Sequence, residues 1–211
     1  MQISTLHIPY NLCRKLLLFF VLVSVNPVIC HAQTFSQVRL PWSTLRQYFP
    51  NSGHVTERTF DLSDDELSLI NHQLPKESKL DDRHIRVLFV QSRLSSSQQD
   101  GLLLPLQEMS ASGLIQMTFV FNHSLEMIGV QIQQGARGKP NGLITALKPI
   151  ITQQPATTLS RWFTSAGDTL TKPIPQLAID AQPEGLAILR AAQRARLLMD
   201  MVIRRLKQSL Y

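Results

Sequence analysis

The sequence predicts an α+β domain: a twisted, mainly antiparallel sheet of about four to six strands with helices packed on it, among them a long C-terminal helix. Three observations lead there. Short alternating or β-branched apolar runs gather between residues 55 and 133, a self-capped helix interrupts them, and apolar residues recur at steps of three and four from Ile188 to Leu206.

Ahead of the domain, Arg14 and Lys15 precede an apolar run, Leu16–Val25, broken only by Ser24, and Cys30-His31-Ala32 supplies a small-x-Ala cleavage site before Gln33. Residues 1–32 therefore read as a secretory signal peptide. The run is about half of the ~20 residues a spanning helix needs, and Asn26-Pro27 ends it. Ile29 is too bulky for the residue before a lipid-modified cysteine, so Ala32 sets the cut. Retention of the leader as an anchor is the competing reading. Residues 33–45 form a lead-in, and 46–211 a single domain.

Ser43 caps a short helix through Tyr48 that Pro50 closes, and Asn51-Ser52-Gly53 turns the chain. Val55–Leu62 is a strand. Ser63 and Glu66 then make a capping box for a helix from Asp64 to about Gln73 that buries Leu67, Ile70 and Leu74. Its early acids Asp64, Asp65 and Glu66 suit the positive end of the helix dipole and are not read as metal ligands. His84–Gln91 is a strand, and 93–100 a polar surface loop. Leu102–Leu106, Leu114–Phe121 and Leu125–Gln133 follow as strands, the last two joined through Asn122-His123-Ser124 as a hairpin.

Gly135–Gly142 is a basic connector without a phosphate-loop or dinucleotide fingerprint. Leu143–Thr164 reads as a helical region broken by Pro149 and Pro155, with 159–163 as its second piece, and 165–183 as loop. From Glu184 a long helix carries Ile188, Ala191, Ala195, Leu198, Val202 and Leu206 on one stripe. Leu197 and Met201 fall on the arginine side, which points to cover on more than one face.

Both cysteines, Cys13 and Cys30, lie in the leader. Thiol catalysis, cysteine-ligated zinc and iron–sulfur clusters are thereby excluded from the mature chain. Two of the 21 Lys/Arg fall in the leader and none of the 15 acids does, so the mature net charge is 19 − 15 = +4. That surplus equals the one in 184–211, where Arg190, Arg194, Arg196, Arg204, Arg205 and Lys207 face Glu184 and Asp200. For an exported chain nucleic acid is a poor partner. Anionic lipid headgroups, an acidic partner protein, or a merely solvated helix face remain.

No catalytic constellation is visible. His54, His72, His84 and His123 are far apart, no serine sits in a nucleophile elbow, and no carboxylate pair is set up for acid–base work. No metal site is marked out either.

From Arg46 to Arg205 the order of pieces resembles the exported FMN-binding domain family, the flavin module of Rnf-type and sodium-pumping quinone reductase complexes. The pieces are Arg46-Gln47-Tyr48-Phe49-Pro50, Glu57-Arg58, Phe60-Asp61-Leu62-Ser63, Met127-Ile128-Gly129-Val130, Trp162-Phe163 with Gly167, and Ile179-Asp180-Ala181 before an Arg-rich helix. The resemblance implies an exported electron-transfer or accessory component beside a membrane respiratory complex, with FMN as cofactor.

Members of that family esterify the FMN phosphate to the last threonine of Ser-Gly-Ala-Thr-x-Thr at the start of the final helix. Here Gln182-Pro183-Glu184-Gly185-Leu186-Ala187-Ile188 stands there, with no hydroxyl and with an acid that repels phosphate. The displaced string Ala166-Gly167-Asp168-Thr169-Leu170-Thr171 leaves Thr171 and Thr169 as the candidate flavin-binding residues, although Lys172-Pro173-Ile174-Pro175 blocks a helix from starting there. The alternative is a cofactor-free periplasmic adaptor that docks a partner or membrane surface through Arg190, Arg194, Arg204 and Arg205.

Overall fold

Two strand edges that splay apart give this fold its character, and a long helix closes the gap between them. The computed structural model describes residues 42–94, 99–135 and 140–208, so the leader 1–32 and the lead-in as far as residue 41 lie outside the described residues. Helix α1 is Trp42–Tyr48, β1 Ser52–Asp61, α2 Asp64–Gln73, β2 His84–Ser92, β3 Gln99–Ser110, β4 Gly113–Asn122 and β5 Met127–Gln134. Helices α3 (Pro140–Gln153), α4 (Ala156–Leu159) and α5 (Gln182–Gln208) complete the chain. The architecture is α+β, a five-stranded antiparallel meander in the order β1-β2-β3-β4-β5 with helices packed on it.

The capping box forms: Ser63 Oγ accepts from the Glu66 amide at 3.2 Å, and the Glu66 carboxylate accepts from the Ser63 amide at 2.8 Å. Ile70 and Leu74 are buried as expected, while Leu67 is half-buried against the same core.

Alternation sorts the strands onto two faces. One face carries Ile85, Val87, Phe89, Leu102, Leu104, Ile115, Met117, Phe119 and Phe121 into the main core beneath α5. The other carries Val90, Leu103 and Val120 under Leu45 of α1 and Phe49, which follows it. Two glycines make that second contact flat. A Cβ on Gly101 would stand 2.4 Å from a Phe49 ring atom, and one on Gly129 2.7 Å from the Tyr48 ring. The Tyr48-Phe49 pair thus serves to seat α1 on the sheet.

Two expectations need correcting. Pro149 does not break the helix: α3 runs through it to Gln153. Pro149 is on the exposed side, between the buried pairs Ala146-Leu147 and Ile150-Ile151, so the missing amide bond falls on the solvent flank, where a helix tolerates bending. The connector also ends sooner, because α3 begins at Pro140, and 136–139 lie outside the described residues. In α5, Pro183 fits the first turn, where its absent amide needs no partner.

β3 is longer than expected because Gln107–Ser110 pairs with Gly113–Gln116 through a two-residue turn, Ala111-Ser112. On its other side β3 pairs β2 only over Gln99–Leu103. From Leu104 onward the β2-facing edge of β3 has no strand partner among the described residues. Ser110 closes the hairpin, so Gln107 and Met109 turn their carbonyls away from β4 and into this gap. Buried carbonyls there need donors from elsewhere.

Candidate functional site

The donors are arginines. Helix α5 crosses β3, and Arg190 and Arg194, one turn apart, point down from it and are only 6% and 8% exposed. Arg190 donates to Gly167 O at 2.5 Å and to Met109 O, and Arg194 donates to Gln107 O. Glu108, 3% exposed on the core side of β3, balances them. Its Oε1 lies 3.1 Å from Arg190 Nε and its Oε2 3.0 Å from Arg194 Nη2, while Ser78 Oγ donates to Oε1 at 3.0 Å. Burial pushes the Glu108 carboxyl upward against the pull of Arg194 and Arg190, and burial pushes Arg194 downward. Further along, Glu184 at the start of α5 is buried and accepts from Ser112 Oγ in the β3–β4 turn.

Arg190 and Arg194 therefore cannot dock a partner: they are consumed by an internal cluster that replaces strand pairing. Arg205 is engaged too. Its Nε donates to Glu66 Oε1 at 3.0 Å and its Nη2 to Glu66 Oε2, a two-pronged pair that ties α5 to the capping box of α2. Of the four arginines proposed for docking, Arg204 alone is exposed.

Arg205 holds the Glu66 carboxyl down to about 2 from its ordinary 4.5, with the Ser63 bonds adding to the effect. A depressed carboxyl contributes stability above its unfolded value and loses it as pH falls through the folded one. Stability should thus decline between pH 4.5 and about 2, the range set by the two values for Glu66. In Arg205→Gln that acid slope should flatten, with a loss of about 1 kcal/mol at neutral pH, as for a largely solvated pair. Urea unfolding midpoints of both proteins across this range check it.

Thr169 and Thr171 are exposed in a turn closed by the bridge Phe163↔Leu170, and the next α-helix starts only at Gln182. Thr171 Oγ1 donates to Arg161 O at 2.6 Å, and Thr169 Oγ1 to Asp168 Oδ1 at 3.3 Å. The Thr164 hydroxyl keeps the Asp168 carboxyl below its ordinary value, hence anionic. The true helix start carries Glu184. Neither place combines a hydroxyl with a helix N-terminus free of acids, so these residues do not fit an esterified FMN phosphate.

Concavity is found elsewhere. A cleft of about 650 Å³ lies between Leu125–Ile128 and the end of α3, with Lys148, Thr152–Pro155 and Arg196 as its other wall. Asn122 builds the first wall. Its side chain donates to Glu126 Oε2 at 2.8 Å and accepts from the Glu126 amide at 2.9 Å, which forces Leu125 between them to φ 67°. A leucine in that left-handed conformation persists only when its surroundings over-determine it, and such strain tends to gather at ligand clamps.

The hairpin expected at Asn122-His123-Ser124 thus continues through Leu125 and Glu126. On the second wall Arg196 Nη2 donates to Ile151 O at 2.7 Å and Thr152 O at 3.1 Å, capping α3 from outside. Burial draws Arg196 below its ordinary pKa, partly offset by Asp200, and its Nε has no hydrogen-bond partner. Gln154 is fixed by Trp162 Nε1 at 2.9 Å.

Sequence reasoning singled out neither Glu108 nor the cleft. A signal for Glu108 existed: apart from His123, it is the only ionisable side chain between Asp100 and Glu126. The cleft had none, being made of a turn and an interhelix connection. Among the described residues no three His, Cys, Asp or Glu gather as metal ligands, and no helix is long and apolar enough to cross a membrane. Compared with known proteins, the chain matches no family model and no curated protein sequence.

Proposed function

We propose that this is an exported, cofactor-free binding module, an adaptor that seats a partner in the cleft between Leu125–Ile128 and the end of α3. The carrying observation is the cleft itself: its volume of about 650 Å³ suits a ligand or a short chain segment, and apolar Leu125, Ile128 and Pro155 mix there with the cations Lys148 and Arg196. Export follows from the reading of residues 1–32 as a signal peptide. The basic helix is set aside as the docking surface because its buried arginines are already spent.

A photoreactive benzoylphenylalanine at exposed Gln153, on the cleft wall, should give discrete adducts in the native compartment, whereas one at exposed Thr59 on β1 should not. Equal labelling from both positions, or none from Gln153, rejects the cleft as the docking place. The same preparation should be colourless. Flavin absorption that follows the protein would instead favour the electron-transfer reading drawn from the FMN-binding resemblance.

A further inference from the structure

We infer that the protein rests on an anionic lipid bilayer through the outer stripe of α1 and the corner where β2 ends. This surface is separate from the cleft, and the inference stands without it. Helix α1 is seated on the sheet by buried Leu45, with Tyr48 half-buried against Gly129. A step of four leaves the opposite side to Trp42 and Arg46, with Ser43 and Gln47 beside them, all exposed. Trp42 is 50% exposed. A large apolar ring with a single polar N–H suits the boundary of a bilayer, where one part of the ring can be dry and the other wet.

The helix does not stand alone. It runs into a turn that the end of β2 seals: the Arg93 amide donates to Asn51 O at 2.8 Å, and Arg93 Nε donates to Ser52 O at 2.8 Å. Those bonds fix exposed Arg93 at the C-terminal end of α1 and bring Leu94, 80% exposed, to the same corner.

Charge selects the occupant. No acid precedes Glu57 and none occurs from Arg83 to Gln99, so the two segments that build this surface carry basic residues only. Acids on the adjoining strands and turns are engaged or enclosed. Glu57 pairs with Arg86 at 2.8 Å, Glu126 accepts from Asn122 at 2.8 Å, and half-buried Asp100 keeps its Oδ2 from solvent. Apolar groups interleaved with cations on a helix flank match an anionic headgroup layer over acyl chains, because binding there sums apolar burial and charge attraction.

The test mixes the mature chain with vesicles of phosphatidylcholine alone, or of equal parts phosphatidylcholine and phosphatidylglycerol, and reads flotation and tryptophan emission. The chain has two tryptophans, and Trp162 is 7% exposed, so a change in emission reports Trp42. Protein should float with the mixed vesicles and not with phosphatidylcholine, while its emission shifts to the blue and is quenched by brominated acyl chains. Trp42→Phe should remove that response. Arg46→Gln and Arg93→Gln should each lower the partition coefficient about fivefold, the effect of one basic residue at an anionic surface, whereas Arg204→Gln on α5 should change it little. Circular dichroism establishes that each variant is folded. Absent flotation, equal flotation with both vesicles, flotation without a Trp42 response, or a loss that follows Arg204→Gln instead overturns the inference. An acidic protein captured at this face while vesicles are ignored overturns it as well.

Discussion

Replacing Glu108 with leucine should destabilise the protein by about 3–5 kcal/mol, because it strands two buried guanidinium groups without a counter-charge. Arg190 and Arg194 are nearly as buried as Glu108, so water cannot replace what is lost. The companion experiment is more informative. For many buried ion clusters, exchanging every member for apolar residues restores stability. Here the triple exchange Glu108→Leu, Arg190→Met, Arg194→Met should not, since the arginines also serve the carbonyls of Gly167, Met109 and Gln107. Each buried carbonyl left without a donor costs about 1–3 kcal/mol. Urea unfolding midpoints decide the matter: a triple variant as stable as wild type would mean that the splayed edge of β3 needs no arginine.

Phe119→Ala should cost a similar amount, about 3–5 kcal/mol, for a different reason. Phe119 is fully buried on β4, between Leu104 of β3 and Val130 of β5, in the core that α5 covers. Truncation there leaves a void walled by two strands held in register, which cannot collapse without breaking pairing. The unfolding midpoint should fall with little change in its denaturant slope. Leu69→Ala is the control. Leu69 is 49% exposed on α2, and its loss should register within about 0.5 kcal/mol.

What could be read from the sequence was whatever local patterns dictate. The Ser63–Glu66 box fixed the start of α2, alternating or continuous apolar runs placed all five strands, and the stripe from Ile188 to Leu206 announced α5. Each rests on interactions between residues a few positions apart. Arg190 and Arg194 misled for the opposite reason. Their role depends on carbonyls 81 and 87 positions away in the chain, exposed by a strand edge that no local pattern marks as unpaired. A helix bearing arginines around an apolar stripe looks solvated until the second layer is known. The cleft was hidden likewise, since its walls come from the β4–β5 turn, the end of α3 and one side chain of α5.

The arginine closure also sets a timetable for folding. The chain is made from its N-terminus, so the whole meander emerges before the element that covers its core face and supplies donors to the open edge of β3. Until residues 182–208 are free, that face stays bare and the carbonyls of Gln107 and Met109 keep their water. Contacts so distant in sequence carry a large loop-closure cost and form late. An unfinished chain is therefore a loose, apolar sheet, fit to be held by a chaperone. Docking of the last helix is the step that ends that state.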